Sequence, residues 1–396
     1  MTRTVQQFDG VVIGAGAAGL MCAIEAGKRG RRMLVIDHAA APGEKIRISG
    51  GGRCNFTNLE ADRTDRFLSL NPAFARSALS RFTPHDMIDR LDRHGIGWHE
   101  KTLGQLFCDS SARQVVDMLV SELRDANGEL RLGQAVEALD RTADGFVLEV
   151  GGAIACRSLV VATGGKSIPK MGATGFAYDV ARRFGLAVTE TRPGLVPLTL
   201  EPGLLARTAP LAGVGVEAVV SSGRTRFREG LLFTHRGLSG PSILQASSFW
   251  REGEEIVIDL APARDLFQRL RAARQVNGRR AVVSVLGDHL PQRLATFLAG
   301  EAGVDGPIGG VADAGFRALA DHIHAWRLKP VGSEGYRTAE VTLGGVDTAA
   351  IDQRTFEART VPGLYFVGEA VDVTGWLGGY NFQWAWSSGW CAGQVV

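Results

Sequence analysis

Three glycines and one acid set the first chemical expectation. Gly14, Gly16 and Gly19 stand in the string GAGAAG, and Asp37 follows Gly19 by eighteen positions. Gly14 would permit a tight turn, Gly16 a close backbone approach to a pyrophosphate, and Gly19 close packing of a helix on a strand. The first helical turn, with Ala17 and Ala18, would present unpaired N–H groups and the positive end of the helix dipole to phosphates. Asp37 would accept ribose hydroxyls, which suits an adenosine with a free 2′-hydroxyl, as in FAD or NAD. The flanks agree. Asp9–Ile13 (DGVVI) reads as a buried parallel strand, LMCAIEAGKRG as helix up to Gly30, and RMLVID as a second strand ending in Asp37.

Two later segments favour FAD over NAD. SLVVATGG at 158–165 places Thr163 and Gly164 just after an apolar strand, and GLYFVGEAVD places Gly368 and Glu369 after another at 364–367. Both resemble the second and third FAD motifs of the two-dinucleotide-binding-domain flavoproteins, in which the acid after the glycine bonds the ribityl chain; Glu369 takes that place. GGYNFQWAWSSGWCAG then reads as a helix with Gly379, Asn381 and Phe382 at its start, its positive end suited to negative charge on the flavin pyrimidine. Val136 completes the expected cofactor set. A second G-x-G-x-x-G is missing beyond about residue 190, since GVGVEA at 213–218 lacks the third glycine and a following helix. One dinucleotide site is expected, holding FAD, with NAD(P)H a co-substrate that binds without its own fingerprint.

A second cluster lies at 45–58, KIRISGGGRCNFTN. Three consecutive glycines oppose a helix or an ordinary strand, because glycine has the most backbone freedom to lose. The backbone of Ser49–Gly52 is expected against the flavin, with Lys45, Arg47 and Arg53 aiding phosphate or substrate binding; the alternative is a solvated basic loop. Lys45, Ser49, Gly51 and Asn55 are read as cofactor partners and Arg53 as a catalytic candidate. Cys54 is either a proton donor or inert packing. His235, in FTHRGLSG with Arg236, is either a proton donor or substrate anchor, or a turn histidine capping the next helix. Ser239 reads as that helix's N-cap, ahead of Pro241. Trp384, Trp386 and Trp390 read as core, while Trp376 sits in a glycine-flanked loop that faces either core or substrate.

Composition narrows the class. The chain has 396 residues, 45% hydrophobic and 22% charged, with net charge +2, so any nucleic-acid argument must rest on local clusters. The five cysteines are scattered without a CxxC pair, which opposes a disulfide framework and a zinc site. No apolar run reaches membrane-spanning length and no secretory h-region is evident, so a cytoplasmic protein, monomeric or weakly self-associating, is expected, with neither membrane nor metal partner. The stretch 261–282 carries six arginines and one acid; Arg264, Arg271 and Arg274 share approximate helical spacing. It reads as either an RNA-tracking face or a solvated helix face.

SGGGRCN, THRGLSGP, AEVTLGGVD and the string GLYFVGEAVDVTGWLGGYNFQWAWSSG together resemble the BaiN/RdsA-type (YhiN-like) NAD(P)/FAD-dependent oxidoreductases nearly end to end. The resemblance implies an α/β fold: a Rossmann-like FAD-binding domain over 1–190 and 345–396, a β-barrel-like insertion over 191–261 and 330–344, and a helical insertion over 262–329. It also implies hydride transfer from flavin N5 to an activated C=C bond, in a uridine of large-subunit ribosomal RNA or in a bile-acid-type enone. A non-catalytic FAD-binding, RNA-associated protein is the reading from another class. The chain departs from the usual pattern at Cys108, where a proline is more common, and at Arg113, where a lysine is.

Overall fold

The computed structural model describes residues 5–396. The chain gathers into two compact units: one holds the segments up to Arg192 and from Val341 onward, the other Pro193–Glu340.

The elements of the first unit used below are, in chain order, β1 (Gln6–Ile13), α1 (Ala17–Lys28), β2 (Met33–Ile36), α2 (Glu44–Ile48), β3 (Asn55–Asn58), α3 (Pro84–Arg93), β4 (Trp98–Glu100), β5 (Gln105–Cys108) and α4 (Ala112–Asp125). They continue as β6 (Glu129–Arg131), β7 (Ala138–Thr142), β8 (Gly145–Glu149), β9 (Ala153–Val161), β10 (Leu364–Phe366) and α5 (Tyr380–Gly393). The main sheet runs β6-β2-β1-β9-β8-β7, with β10 also on β9. β1 is parallel to β2 and β9, and its Val11, Val12 and Ile13 are buried, as a strand covered on both faces requires. β9 divides its edges: Ala153–Cys156 pairs antiparallel with β8, and Leu159–Val161 pairs parallel with β10. That fork delivers the turns after β1, β9 and β10 to one end of the sheet.

α1 and α5 pack by a seam of small residues. A Cβ on Gly389 would lie 2.3 Å from the Ala18 carbonyl oxygen, and one on Gly393 2.7 Å from that of Cys22. Two of the three tryptophans of α5 are core: Trp384 and Trp386 are buried, and their indole N–H groups donate to the carbonyls of Gly368 (2.9 Å) and Phe56 (2.8 Å), while Trp390 is half-buried at the edge of the core. A buried ion network ties α1, α3 and α4. Arg90 makes a bidentate contact with Glu122 and a 3.1 Å pair with Glu25, while Lys28 reaches Glu122 at 3.0 Å.

The second unit has a seven-stranded antiparallel sheet ordered Trp326–Leu328, Ile256–Asp259, Gly215–Ser222, Thr225–Phe233, Gly237–Ser239, Leu198–Thr199, Gly332–Ser333. Helices Leu266–Val276, Val282–Gly287, Gln292–Glu301 and Asp313–His324 follow the expected helical stretch. Residues 213–218 enter a strand, consistent with their having no helix-opening fingerprint.

Candidate cofactor and active site

The turn after β1 explains two of its glycines from inside the chain and one from outside. Gly14 has φ +113°, and a Cβ on it would stand 2.5 Å from the Ala162 carbonyl oxygen. A Cβ on Gly19 would fall 2.0 Å from the Gly14 carbonyl oxygen. Gly16 caps α1, and a Cβ there would meet no protein atom within 4 Å. Its lack of a side chain therefore answers no crowding within the protein and fits a backbone that a ligand approaches. Beside this turn, Thr163 Oγ1 is buried with no hydrogen-bond partner, the kind of atom that a bound group or water satisfies.

Asp37, just past β2, is fixed by two backbone donors: Ala15 N–H to Oδ2 at 2.7 Å and Ala39 N–H to Oδ1 at 2.9 Å. Each oxygen keeps a lone pair for a ribose hydroxyl. Gln134 N–H donates to the Asp37 carbonyl at 3.0 Å, and Val136, two residues on, is half-buried. With Ala17 and Ala18 buried in the first turn of α1, this donor and acceptor set fits the adenosine diphosphate half of FAD.

The far end of the site is organised around Glu369. Lys45 Nζ donates to Glu369 Oε2 at 2.6 Å and to Ser167 Oγ at 2.7 Å. Ser167 Oγ donates to Glu369 Oε1 at 3.0 Å, and the Thr342 N–H donates to the same oxygen at 2.8 Å. Thr342 Oγ1 in turn accepts the N–H groups of Lys166 (2.7 Å) and Ser167 (3.2 Å). Gly164, at φ +70°, faces this carboxylate: a Cβ on it would be 3.6 Å from Oε2. Two residues the sequence treated separately, Lys45 and Glu369, are thus one ion pair. Ser167 and Thr342 were not singled out in the sequence; each is an ordinary hydroxyl residue whose role exists only after folding.

The glycine-rich stretch is irregular over a short span only. KIRIS is mostly helix α2, NFTN is strand β3, and the turn between them holds Gly50, Gly51 and Gly52 at φ +56°, +65° and +85°. Gly51 and Arg53 are exposed, and the Ser49 hydroxyl donates back to the Ile46 carbonyl at 2.8 Å. Cys54, at φ +51°, has no solvent exposure. Burial drives its thiol well above the ordinary range, the neighbouring Cys108 adds to this, and a hydrogen bond with Ser49 offsets only part. Burial likewise pushes Cys108 up to about 12.

Several side chains expected near the cofactor are engaged with the protein. In the amide orientation that satisfies both ends, Asn55 donates to the carbonyls of Thr57 and Leu106 and accepts the Gly379 N–H at 3.3 Å. Asn381 accepts the Gly375 N–H at 2.8 Å and donates to the carbonyls of Gly375 and Trp376. Phe382 stacks on Trp386 with centroids 5.8 Å apart. Gly379, at φ +97°, caps α5, and a Cβ there would be 2.3 Å from the Thr57 carbonyl oxygen. Gly368, at φ +66°, would press a Cβ to within 2.9 Å of Ala18 Cβ, so it sets the approach of the β10 turn to α1. The Arg66 guanidinium covers the Trp376 ring at 4.1 Å.

In the second unit, His235 is exposed in a turn closed by Thr234, whose N–H donates to the Gly237 carbonyl at 2.8 Å. The next helix, Pro241–Ser247, is capped by Gly240 with no side-chain bond, which corrects both capping expectations; Ser239 instead pairs with Leu232 in the sheet. Four of the six arginines in the basic stretch are engaged with the protein, and the stretch stays net positive. Arg271 and Arg274 pair with Asp313 (3.0 and 2.6 Å), Arg280 pairs with Asp288 (2.9 Å), and Arg264 donates to the His289 carbonyl. Arg264 also lies ahead of the helix that carries the others, so the shared helical spacing does not hold. Among the described residues, no group of three or more His, Cys, Asp or Glu is placed to hold a metal, and no helix is long and apolar enough to cross a membrane.

Comparison with known proteins extends this geometry. The chain is 51% identical over 400 residues to the "Ribosomal RNA dihydrouridine synthase" of Escherichia coli (strain K12), covering 98% of each. It is 44% identical over 392 residues to the protein of that name from Haemophilus influenzae, covering 97% of each. It is 30% identical over 407 residues to the "3-dehydro-bile acid delta(4,6)-reductase" of Clostridium scindens, covering 97% of this chain and 98% of that protein. A family model described as the HI0933-like protein Rossmann domain matches residues 8–395, so that the glycine turn, the forked sheet and the Lys45–Glu369 pair all fall within one family's span: the chain belongs to the HI0933-like Rossmann-domain family.

Proposed function

We propose that this chain is an FAD-dependent oxidoreductase that reduces the C=C bond of a uridine in large-subunit ribosomal RNA to dihydrouridine, with NAD(P)H as reductant. The observation that carries this reading is the 51% identity with a ribosomal RNA dihydrouridine synthase across 98% of both chains. When bound and reduced, FAD supplies a hydride from N5. The chain's own residues do the rest. Gly14–Gly19 and the start of α1 take the pyrophosphate, Asp37 the ribose, and Thr163 Oγ1 a polar group beside them. Lys45, Ser167 and the Thr342 N–H hold the Glu369 carboxylate in one orientation, ready to accept from the ribityl chain. The triple glycine offers a wall without side chains, and the positive end of α5 favours negative charge near it. The sealed, neutral Cys54 supports packing better than proton delivery; exposed Arg53 beside it is suited to holding the substrate. The proposed FAD domain takes the segments up to Arg192 and from Val341 onward, so that it resumes at 341 rather than at 345 and includes Thr342, with the sheet and helical segments inserted.

Reduction of a cyclic enone uses the same chemistry, and the 30% identical bile-acid reductase supports it less strongly. An anaerobic experiment separates the two. The yellow protein is reduced with one equivalent of NADH or NADPH and mixed with unmodified ribosomal RNA or with a 3-oxo steroid enone. Rapid return of the oxidised-flavin band with RNA alone is expected; return with the enone alone would overturn the RNA assignment.

A further inference from the structure

Four cations without an ion pair stand on the triple-glycine turn and the elements packed against it. Arg47, Arg53, Lys101 and Arg113 make no ion pair among the described residues, and Arg53, Lys101 and Arg113 are exposed. Arg47 Nε is buried without an acceptor.

One stack joins these groups. A Cβ on Gly50 would lie 2.7 Å from the Phe107 ring, the Lys101 ammonium sits 5.3 Å from the same ring's centroid, and His99 is stacked on it with centroids 6.3 Å apart. The Cys108 N–H donates to the Arg53 carbonyl at 2.9 Å, which ties the turn to β5, and α4, with Arg113 in its first turn, packs against the same glycines. Acids stand nearby as well: Glu100 accepts the Gly104 N–H at 3.0 Å, Asp109 holds His99 at 2.7 Å, and Glu44 lies in the first turn of α2, so the cations exceed the acids by a small margin. Two large apolar side chains stand in water on the same elements, Ile48 at 52% exposure and Leu103 at 62%.

Free cations interleaved with exposed apolar side chains and the partly exposed His99 ring suit a single-stranded nucleic acid, which needs phosphate partners and faces for its bases; Phe107 is buried and only backs that ring. We infer that ribosomal RNA docks on this face, formed by α2, the triple-glycine turn and the β3-β5-β4 sheet, and not on the arginines of 261–282. The inference rests on the RNA reading above and locates its contact surface. Of the six arginines in 261–282, Arg271 and Arg274 share Asp313, Arg280 pairs with Asp288 and Arg264 is turned to the His289 carbonyl, leaving Arg269 and Arg279 as the two whose side chains have no partner among the described residues.

The test measures binding of a large-subunit ribosomal RNA fragment to the FAD-loaded protein over a range of salt. Lys101→Glu with Arg113→Glu is expected to weaken binding at least about tenfold and to flatten the log–log salt slope by roughly 1.4, about 0.7 for each lost phosphate contact. Flavin content and NAD(P)H-dependent flavin reduction should stay at the wild-type level, since neither residue belongs to the cofactor set. Arg269→Glu with Arg279→Glu should change affinity less than about threefold. The reverse pattern would overturn the face alone. Wild-type protein that binds no ribosomal RNA would overturn the RNA reading and the face with it. Polyglutamate bound as tightly as the RNA would make the face a general polyanion surface and overturn the assignment.

Discussion

At the scale of single residues, Lys45 and Cys54 have opposite prospects. Lys45 supplies a charged hydrogen bond to Glu369, and such a bond contributes about 1.5–3 kcal/mol. Lys45→Met should therefore reduce FAD affinity about tenfold to a hundredfold, read as flavin lost on dialysis, while Lys45→Arg keeps part of it. Unchanged affinity would remove the pair from the cofactor site. Cys54 has no exposure and a thiol held neutral by burial. Cys54→Ala is expected to keep turnover within about threefold, whereas a fall of ~10²–10⁴, the usual yield of general acid catalysis, would make it the proton donor. The sequence marked Cys54 because of the motif around it; burial, which decides its chemistry, is set by strands and helices distant in the chain.

At the scale of elements, two contacts hold the cofactor end together. Gly389 lets α5 meet the first turn of α1, where a Cβ would sit 2.3 Å from the Ala18 carbonyl oxygen. Gly389→Ala should cost about 1–3 kcal/mol through overpacking and weaken FAD retention as α1 shifts. Gly300→Ala, in a helix where a Cβ meets nothing within 4 Å, should instead stabilise by about 0.5–1 kcal/mol. Paired thermal melts distinguish them. The second contact is Arg90–Glu122 between α3 and α4. Burial pushes Glu122 up, but its hydrogen bonds and charge attraction with Arg90, then Lys28, outweigh this and bring it from 4.5 to about 2. With the folded value depressed, its stabilisation is complete above roughly pH 4.5 and is lost as pH falls through about 2, a total of about 3 kcal/mol. Glu122→Gln should cost about 3 kcal/mol at neutral pH, since Arg90 keeps only its Glu25 pair, and should flatten the acid limb of stability measured by denaturant titration.

At the scale of the whole molecule, what could be read in advance was local. The strand, glycine turn, helix and acid of residues 9–37 form one short run, so β1, α1, β2 and the position of Asp37 were legible. The apolar strands before Thr163 and Glu369 were legible for the same reason. Lys45, Ser167, Thr342 and Glu369 come from four separated segments, and no spacing rule links them. The basic stretch 261–282 was legible as charge but its partners were not: Asp288 and Asp313, which pair with three of its arginines, lie outside it. Uridine reduction in ribosomal RNA is tested most directly by mass spectrometry of large-subunit ribosomal RNA from a strain lacking this protein. Loss of dihydrouridine at one position, restored by the wild-type chain and not by a variant that fails to retain FAD, is the predicted result; an unchanged dihydrouridine content would contradict the claim.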